Sequence, residues 1–214
     1  MMKSNKKVLI AVGLTFIYGV FSYFCMSFLW NNDYLISLND ITANNVWLKL
    51  LTDSIGNFLF VLLIFGFMLI RGRSLSEVGF TSNSRFLSVS LLVVYLGLFL
   101  LHGDFSVKGI YRAFFFLIVV AFVEEFIFRG FLFTIIDREY GFWKAVIISG
   151  LLFGAMHGLL PTIVANGSFM DLLANIFDNL LGQGVFGTLI FAYAYKQSGT
   201  LFVPILIHAI LDYL

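Results

Sequence analysis

Residues 110–136 read IYRAFFFLIVVAFVEEFIFRGFLFTII. From Phe114 to Phe122 every position is apolar, so neither strict alternation nor one greasy face describes the run. A helix that is apolar all round is surrounded by lipid or by other helices. Inside the same run stand Glu124, Glu125 and Arg129. A charge near the bilayer centre costs about 2.5–3.5 kcal/mol on insertion scales. Such groups persist where they pair, face a polar cavity, or do both.

The rest of the chain has the same character. Of 214 residues, 60% are apolar and only 12% charged, and mean hydropathy is +0.98. A soluble domain runs nearer half apolar and a quarter charged. Lipid must therefore solvate part of this surface, and the length suits one membrane domain over 1–214. Further runs fall near 8–30, 46–70, 86–101, 143–160, 172–195 and 199–214. The expectation is an all-α, polytopic transmembrane helix bundle of six to eight spans, seven favoured. Pro161 should mark the stop of the fifth run, and Pro204 either kinks the last helix or occupies its first turn. Lys3, Lys6 and Lys7 ahead of an apolar run resemble a secretory signal, but the run to Trp30 is too long for one.

Charge sets the expected orientation. With seven spans, Lys3, Lys6, Lys7, Arg71, Arg73, Arg85, Arg138, Lys144 and Lys196 fall on the amino-terminal side, and Lys49, Lys108 and Arg112 on the other. The positive-inside rule then places the amino terminus in the cytoplasm of a multi-pass protein of the cell membrane. A net charge of +1 offers no field for nucleic acid, and the single cysteine, Cys25, excludes an intramolecular disulfide. The partners expected are the lipid bilayer and a peptide or membrane-protein substrate.

Chemistry concentrates in three runs. Glu125 and Arg129 are four apart with the acid first, the favourable order for a helical ion pair. Glu124 is turned by ~100° from that contact and is free to face the interior as a general base. Phe153 precedes His157 by one turn, so its ring can support the imidazole. Gly150, Gly154 and Gly158 form a small-residue stripe that admits a neighbouring helix. Taken alone, His157 is equally explained by a hydrogen bond between helices. His208 and Asp212 share a face; the acid can fix the histidine's tautomer, both can bind one metal ion, or Asp212 is simply solvated near the terminus. At 1.5 Å per residue, Glu124, His157 and His208 lie ~18, ~20 and ~14 Å from the cytoplasmic ends of their runs, close to one level. Asn175, Asp178, Asn179 and Gln183 make the sixth run polar; they either line a watery entry, the reading favoured, or mark a segment that does not span.

Glu124-Glu125-x-x-x-Arg129, Phe153-x-x-x-His157 and His208-x-x-x-Asp212 together resemble the three-motif signature of the CPBP family, the CAAX proteases and bacteriocin-processing enzymes also called Abi. The resemblance covers about 110–214, the expected catalytic core. It implies about eight transmembrane helices around a conical cavity. It implies an intramembrane endopeptidase, a metalloprotease or a glutamate protease, cleaving a peptide or membrane-tethered segment. Glu124 and His157 would activate water, while His208 and Asp212 would hold the oxyanion or a metal. The last motif often ends in Asn. Here Asp212 must be protonated to donate a hydrogen bond to an oxyanion. If a divalent metal such as zinc is used, Glu124, His157, His208 and Asp212 are its expected ligands. Bacterial members point to bacteriocin maturation or self-immunity ahead of prenylated proteins. The alternative is a non-catalytic membrane immunity or regulatory protein that binds a partner; a proton-coupled transporter ranks below it.

Overall fold

An apolar segment in lipid satisfies its backbone most simply by coiling on itself, and among the described residues this happens seven times. The computed structural model describes residues 4–214; Lys3, counted above among the amino-terminal charges, lies outside the described residues. The helices are α1 (Ser4–Asn31), α2 (Val46–Ile70), α3 (Arg85–His102), α4 (107–140), α5 (Phe142–Val164), α6 (169–198) and α7 (Phe202–Tyr213). No strand occurs among the described residues. Wide-turned π segments interrupt α4 at Phe115–Phe122 and Phe126–Phe133, and α6 at Leu180–Phe186. The first two flank the single turn that carries Glu124 and Glu125. Such wide turns are often found at functional sites.

By length and composition α1, α2, α3 and α5 can each cross a membrane. Helix α4 is long enough but carries its charges midway, α6 is polar in its first half, and α7 is short. Several helix ends differ from expectation for local reasons. Helix α6 starts at 169 because Ser168 and Asp171 form a reciprocal capping box. It ends at Ser198 because Gly199 takes a left-handed conformation (φ +67°). Helix α7 starts only at Phe202, because the Leu201 N–H is held by the Gly79 carbonyl at 2.8 Å. Its 12 residues reach ~18 Å. Pro161 does not stop α5. The turn breaks at Gly158, and Pro161 falls in the first turn of the resumed helix, where a missing N–H is harmless. Pro204 likewise occupies the first turn of α7.

The connections sort into two ends. At one, Lys7 pairs with Glu139 (3.5 Å), Arg73 with Glu77 (2.7 Å) and Lys196 with Asp137 (2.7 Å). Thr81 donates to the Gly199 carbonyl (2.6 Å) and Ser84 to that of Ser198 (2.8 Å). At the other end Trp30 donates to Asn166 (3.2 Å), and the His102 ring meets Tyr213 edge-on. Helix α4 runs through the middle: Val123, Phe126, Ile127, Leu132, Phe133 and Ile136 are fully buried around the turn that carries the two glutamates. Lys49 is not a loop charge. It is buried in α2, bonded to Asp53 at 2.8 Å, and Tyr111 of α4 donates to the same carboxylate at 2.8 Å. That pin ties α2 to α4.

Helices α5 and α6 approach backbone to backbone. A Cβ on Gly154 would stand 2.6 Å from the Asn179 carbonyl oxygen, and one on Gly158 2.6 Å from the Ile176 nitrogen. Gly154→Val should therefore lower stability in detergent by about 1–3 kcal/mol, as overpacking does. Gly97→Val, where a Cβ meets nothing within 4 Å, should leave it within about 1 kcal/mol of the parent. Thermal unfolding of the two variants side by side checks the contrast.

Candidate active site

Arg129 is 0% exposed, and so is Glu125; the guanidinium Nη1 lies 3.0 Å from Glu125 Oε1. The pair is four residues apart on α4, as the spacing predicts. Two rings close on the guanidinium, Phe153 of α5 at 4.2 Å and Phe191 of α6 at 4.9 Å. Thr188 of α6 accepts a hydrogen bond from Nη2 at 3.3 Å. A delocalised cation between aromatic faces suits this apolar setting better than a compact ammonium would.

Glu125 does more than pair with Arg129. Its Oε1 also lies 2.9 Å from Nδ1 of His208. A carboxylate held by an arginine accepts, so Nδ1 carries the proton and the ring's Nε2 edge points the other way. That edge faces Glu124 Oε2 at 3.7 Å and Asp212 Oδ2 at 3.4 Å. The acid that fixes the His208 tautomer is therefore Glu125 from across the bundle. Asp212, one turn along the same helix, can reach only the opposite nitrogen. Phe191 stacks on the imidazole at 4.7 Å and 19° and holds its plane.

His157 is oriented within its own helix. Its Nδ1 lies 2.9 Å from the Phe153 carbonyl, which only accepts, so Nδ1 is the donor and Nε2 bears the lone pair when the ring is neutral. The Phe153 ring meets His157 edge-on at 4.6 Å and also contacts His208 at 6.4 Å. Asp212 is in electrostatic reach of His157, Glu124 and His208. Thus Glu124 and Asp212 both meet the Nε2 edge of His208, and the Phe153 ring lies between His208 and His157. Glu124 Oε2 is buried and has no hydrogen-bond partner. A buried carboxylate oxygen without a donor is a place where a polar small molecule is held strongly.

The polar residues of α6 divide. Asn175 donates to Thr162 at 2.8 Å and Asn179 to the Asn175 carbonyl at 2.7 Å. Both belong to the close α5–α6 seam and stay half-buried. Asp178 and Gln183 are exposed. Among the described residues no group of three or more His, Cys, Asp or Glu side chains is arranged to hold a metal ion. Nothing in the sequence marks Phe191 or Thr188 as part of the site. One phenylalanine among 27 carries no signal of its own.

A cluster of acids and imidazoles thus lies inside a helical membrane bundle, and comparison with known proteins gives its class: a CAAX-type membrane endopeptidase. Residues 106–214 match the family described as type II CAAX prenyl endopeptidase Rce1-like. The match spans half of the chain, and the chain belongs to this family, within the CPBP group. No curated protein and no solved structure matches it.

Glu125→Gln should leave Arg129 buried against a neutral partner and destabilise the fold by about 3–5 kcal/mol. Combining it with Arg129→Met should recover much of that stability but not cleavage, since His208 still lacks its ionised acceptor. Thermal unfolding and peptide cleavage measured on the single and double variants separate the two effects.

Proposed function

We propose that the chain hydrolyses a peptide bond within the membrane through water activated by Glu124 and His157. The observation that carries this reading is the buried Glu124 Oε2, which has no hydrogen bond and is set 3.7 Å from the Nε2 edge of an imidazole whose other nitrogen is fixed. One water molecule bonded to Glu124 is thereby within reach of His208. Glu124 takes its proton, the hydroxide oxygen bonds to the scissile carbonyl carbon, and charge moves onto the carbonyl oxygen. His208, protonated at Nε2, donates to that oxyanion, and Asp212 joins it when protonated. The C–N bond then breaks, and the amine leaves with the proton that Glu124 took. His157 presents the Nε2 lone pair as a second acceptor for the water. Glu125, Arg129 and Phe153 position these groups and touch no reacting atom.

The catalytic core in this reading is 110–214, within a single membrane domain of 1–214. The substrate is a peptide or membrane-tethered protein segment, and the family's printed description makes a prenylated CAAX peptide the first probe to offer. Bacteriocin maturation or self-immunity is the physiological role proposed for it. The charge asymmetry between the two ends of the bundle supports an amino terminus in the cytoplasm.

Glu124→Gln should lower kcat on a quenched fluorescent, prenylated CAAX peptide by roughly 10²–10⁴ while thermal unfolding stays near that of the parent. Unchanged cleavage by a correctly inserted variant would remove Glu124 from the mechanism. For orientation, single cysteines placed at Asn32 and at Arg73 in a Cys25→Ser background should react differently with an impermeant thiol reagent. In intact cells only the Asn32 position should be labelled.

A further inference from the structure

At the end of the bundle where Thr81 and Ser84 bond to the last carbonyls of α6, a cavity of about 380 Å³ opens between the connection before α3, the first turns of α3 and the start of α7. That size falls in the range of small-molecule and cofactor sites. Its walls are mostly apolar, supplied by Phe80, Val89 and Phe202. The Phe80 ring meets Phe202 edge-on at 5.6 Å and backs onto Phe126 of α4 at 6.0 Å, so the core braces the floor. Phe86, Val89 and Val93 share one face of α3, and all three are exposed. In a helix long and apolar enough to span, such a face borders lipid. Val89 belongs to both surfaces, so the cavity is continuous with the lipid-facing side of α3.

The polar side of the cavity is cationic. Arg85 and Ser82 line it and are exposed. Neighbouring cations have partners: Arg73 and Arg138 meet Glu77, Lys196 meets Asp137 and Lys7 meets Glu139. Arg85 pairs with no acid among the described residues, and the Ser82 hydroxyl bonds to none of them. An unpaired guanidinium beside a free hydroxyl suits an anion with several acceptor oxygens, and phosphate takes the guanidinium fork through two parallel bonds. We propose that this groove holds an anionic phospholipid, with its phosphate on Arg85 and Ser82 and an acyl chain across Phe80, Val89 and Phe202. Basic pockets at membrane-facing helix ends take such headgroups. A choline ammonium beside the phosphate would instead be repelled by Arg85, so a net negative headgroup is preferred. The bound lipid bridges the first turns of α3 and α7 and stabilises the folded chain by mass action. The groove is separate from Glu124, and the proposal does not depend on that residue being the base.

The test uses the full-length protein in a neutral maltoside detergent. Thermal unfolding is followed while dioleoylphosphatidylglycerol, dioleoylphosphatidylcholine or inorganic phosphate is titrated in. Phosphatidylglycerol should raise the unfolding midpoint by roughly 5–10 °C at saturation, and the other two by far less. Arg85→Gln should move the half-saturating concentration of phosphatidylglycerol up roughly 10- to 100-fold. Val89→Trp, which fills the apolar half and keeps the arginine, should weaken the effect as well. Arg71→Gln removes another exposed cation at this end and should titrate like the parent. Midpoints in detergent alone report whether each variant folds. Arg85→Gln and Val89→Trp attack opposite halves of the groove, so either one that folds decides the matter. Equal stabilisation by phosphatidylcholine would overturn the proposal, as would half-saturating concentrations that Arg85→Gln and Val89→Trp share with the parent. Full stabilisation by inorganic phosphate would overturn it in favour of a free anion. Stabilisation that depends on Arg85 and comes only from the prenylated CAAX peptide would overturn it in favour of substrate.

Discussion

A positive charge with no access to water organises this protein. Arg129 cannot stay buried unless something neutralises it, and Glu125 does so from one turn away on the same helix. The contact fixes more than a pair. Phe153 and Phe191 must lie flat against the guanidinium, which brings α5 and α6 up to α4. Glu125 then has an oxygen to offer His208, which adds α7. Three helices are thus registered against a fourth by one ion. The imidazole that faces Glu124 owes its orientation to a carboxylate that plays no part in the proposed chemistry.

The two glutamates divide the work because they are adjacent. Consecutive residues on a helix point ~100° apart, so one side chain can look into the packed seam while the other looks into the pocket. Glu125 is fully buried and doubly engaged; Glu124 keeps an oxygen unpaired and a side chain 27% exposed. The histidines are arranged by the same economy. Each uses Nδ1 for anchoring, one on a carboxylate and one on a backbone carbonyl. Each leaves Nε2 for other tasks.

Much of this was legible in the sequence, and the reasons differ by level. Charges set in apolar runs are costly, so Glu124, Glu125 and Arg129 announced themselves, and the i,i+4 spacing was enough to pair Glu125 with Arg129. The seven helices followed from apolar runs long enough to need their own hydrogen bonds. Helix ends were partly readable: Ser168 with Asp171, and Gly199, are local signals. The late start of α7 was not, because it depends on Gly79, more than a hundred residues away in the chain. The same holds for the bond from His208 to Glu125 and for the ring of Phe191. Contacts between distant residues of common types leave no trace in spacing. Pro161 misled because a glycine three residues earlier had already broken the turn.

The late start of α7 has a consequence for access. Its first turn is tied to Gly79 at the end of the bundle where Thr81 and Ser84 bond to the Gly199 and Ser198 carbonyls. His208 stands six residues beyond Phe202, ~9 Å along the helix. The imidazole is thus less than two turns from a hydrogen-bonded polar rim, a short reach for water or for a chain arriving from that end.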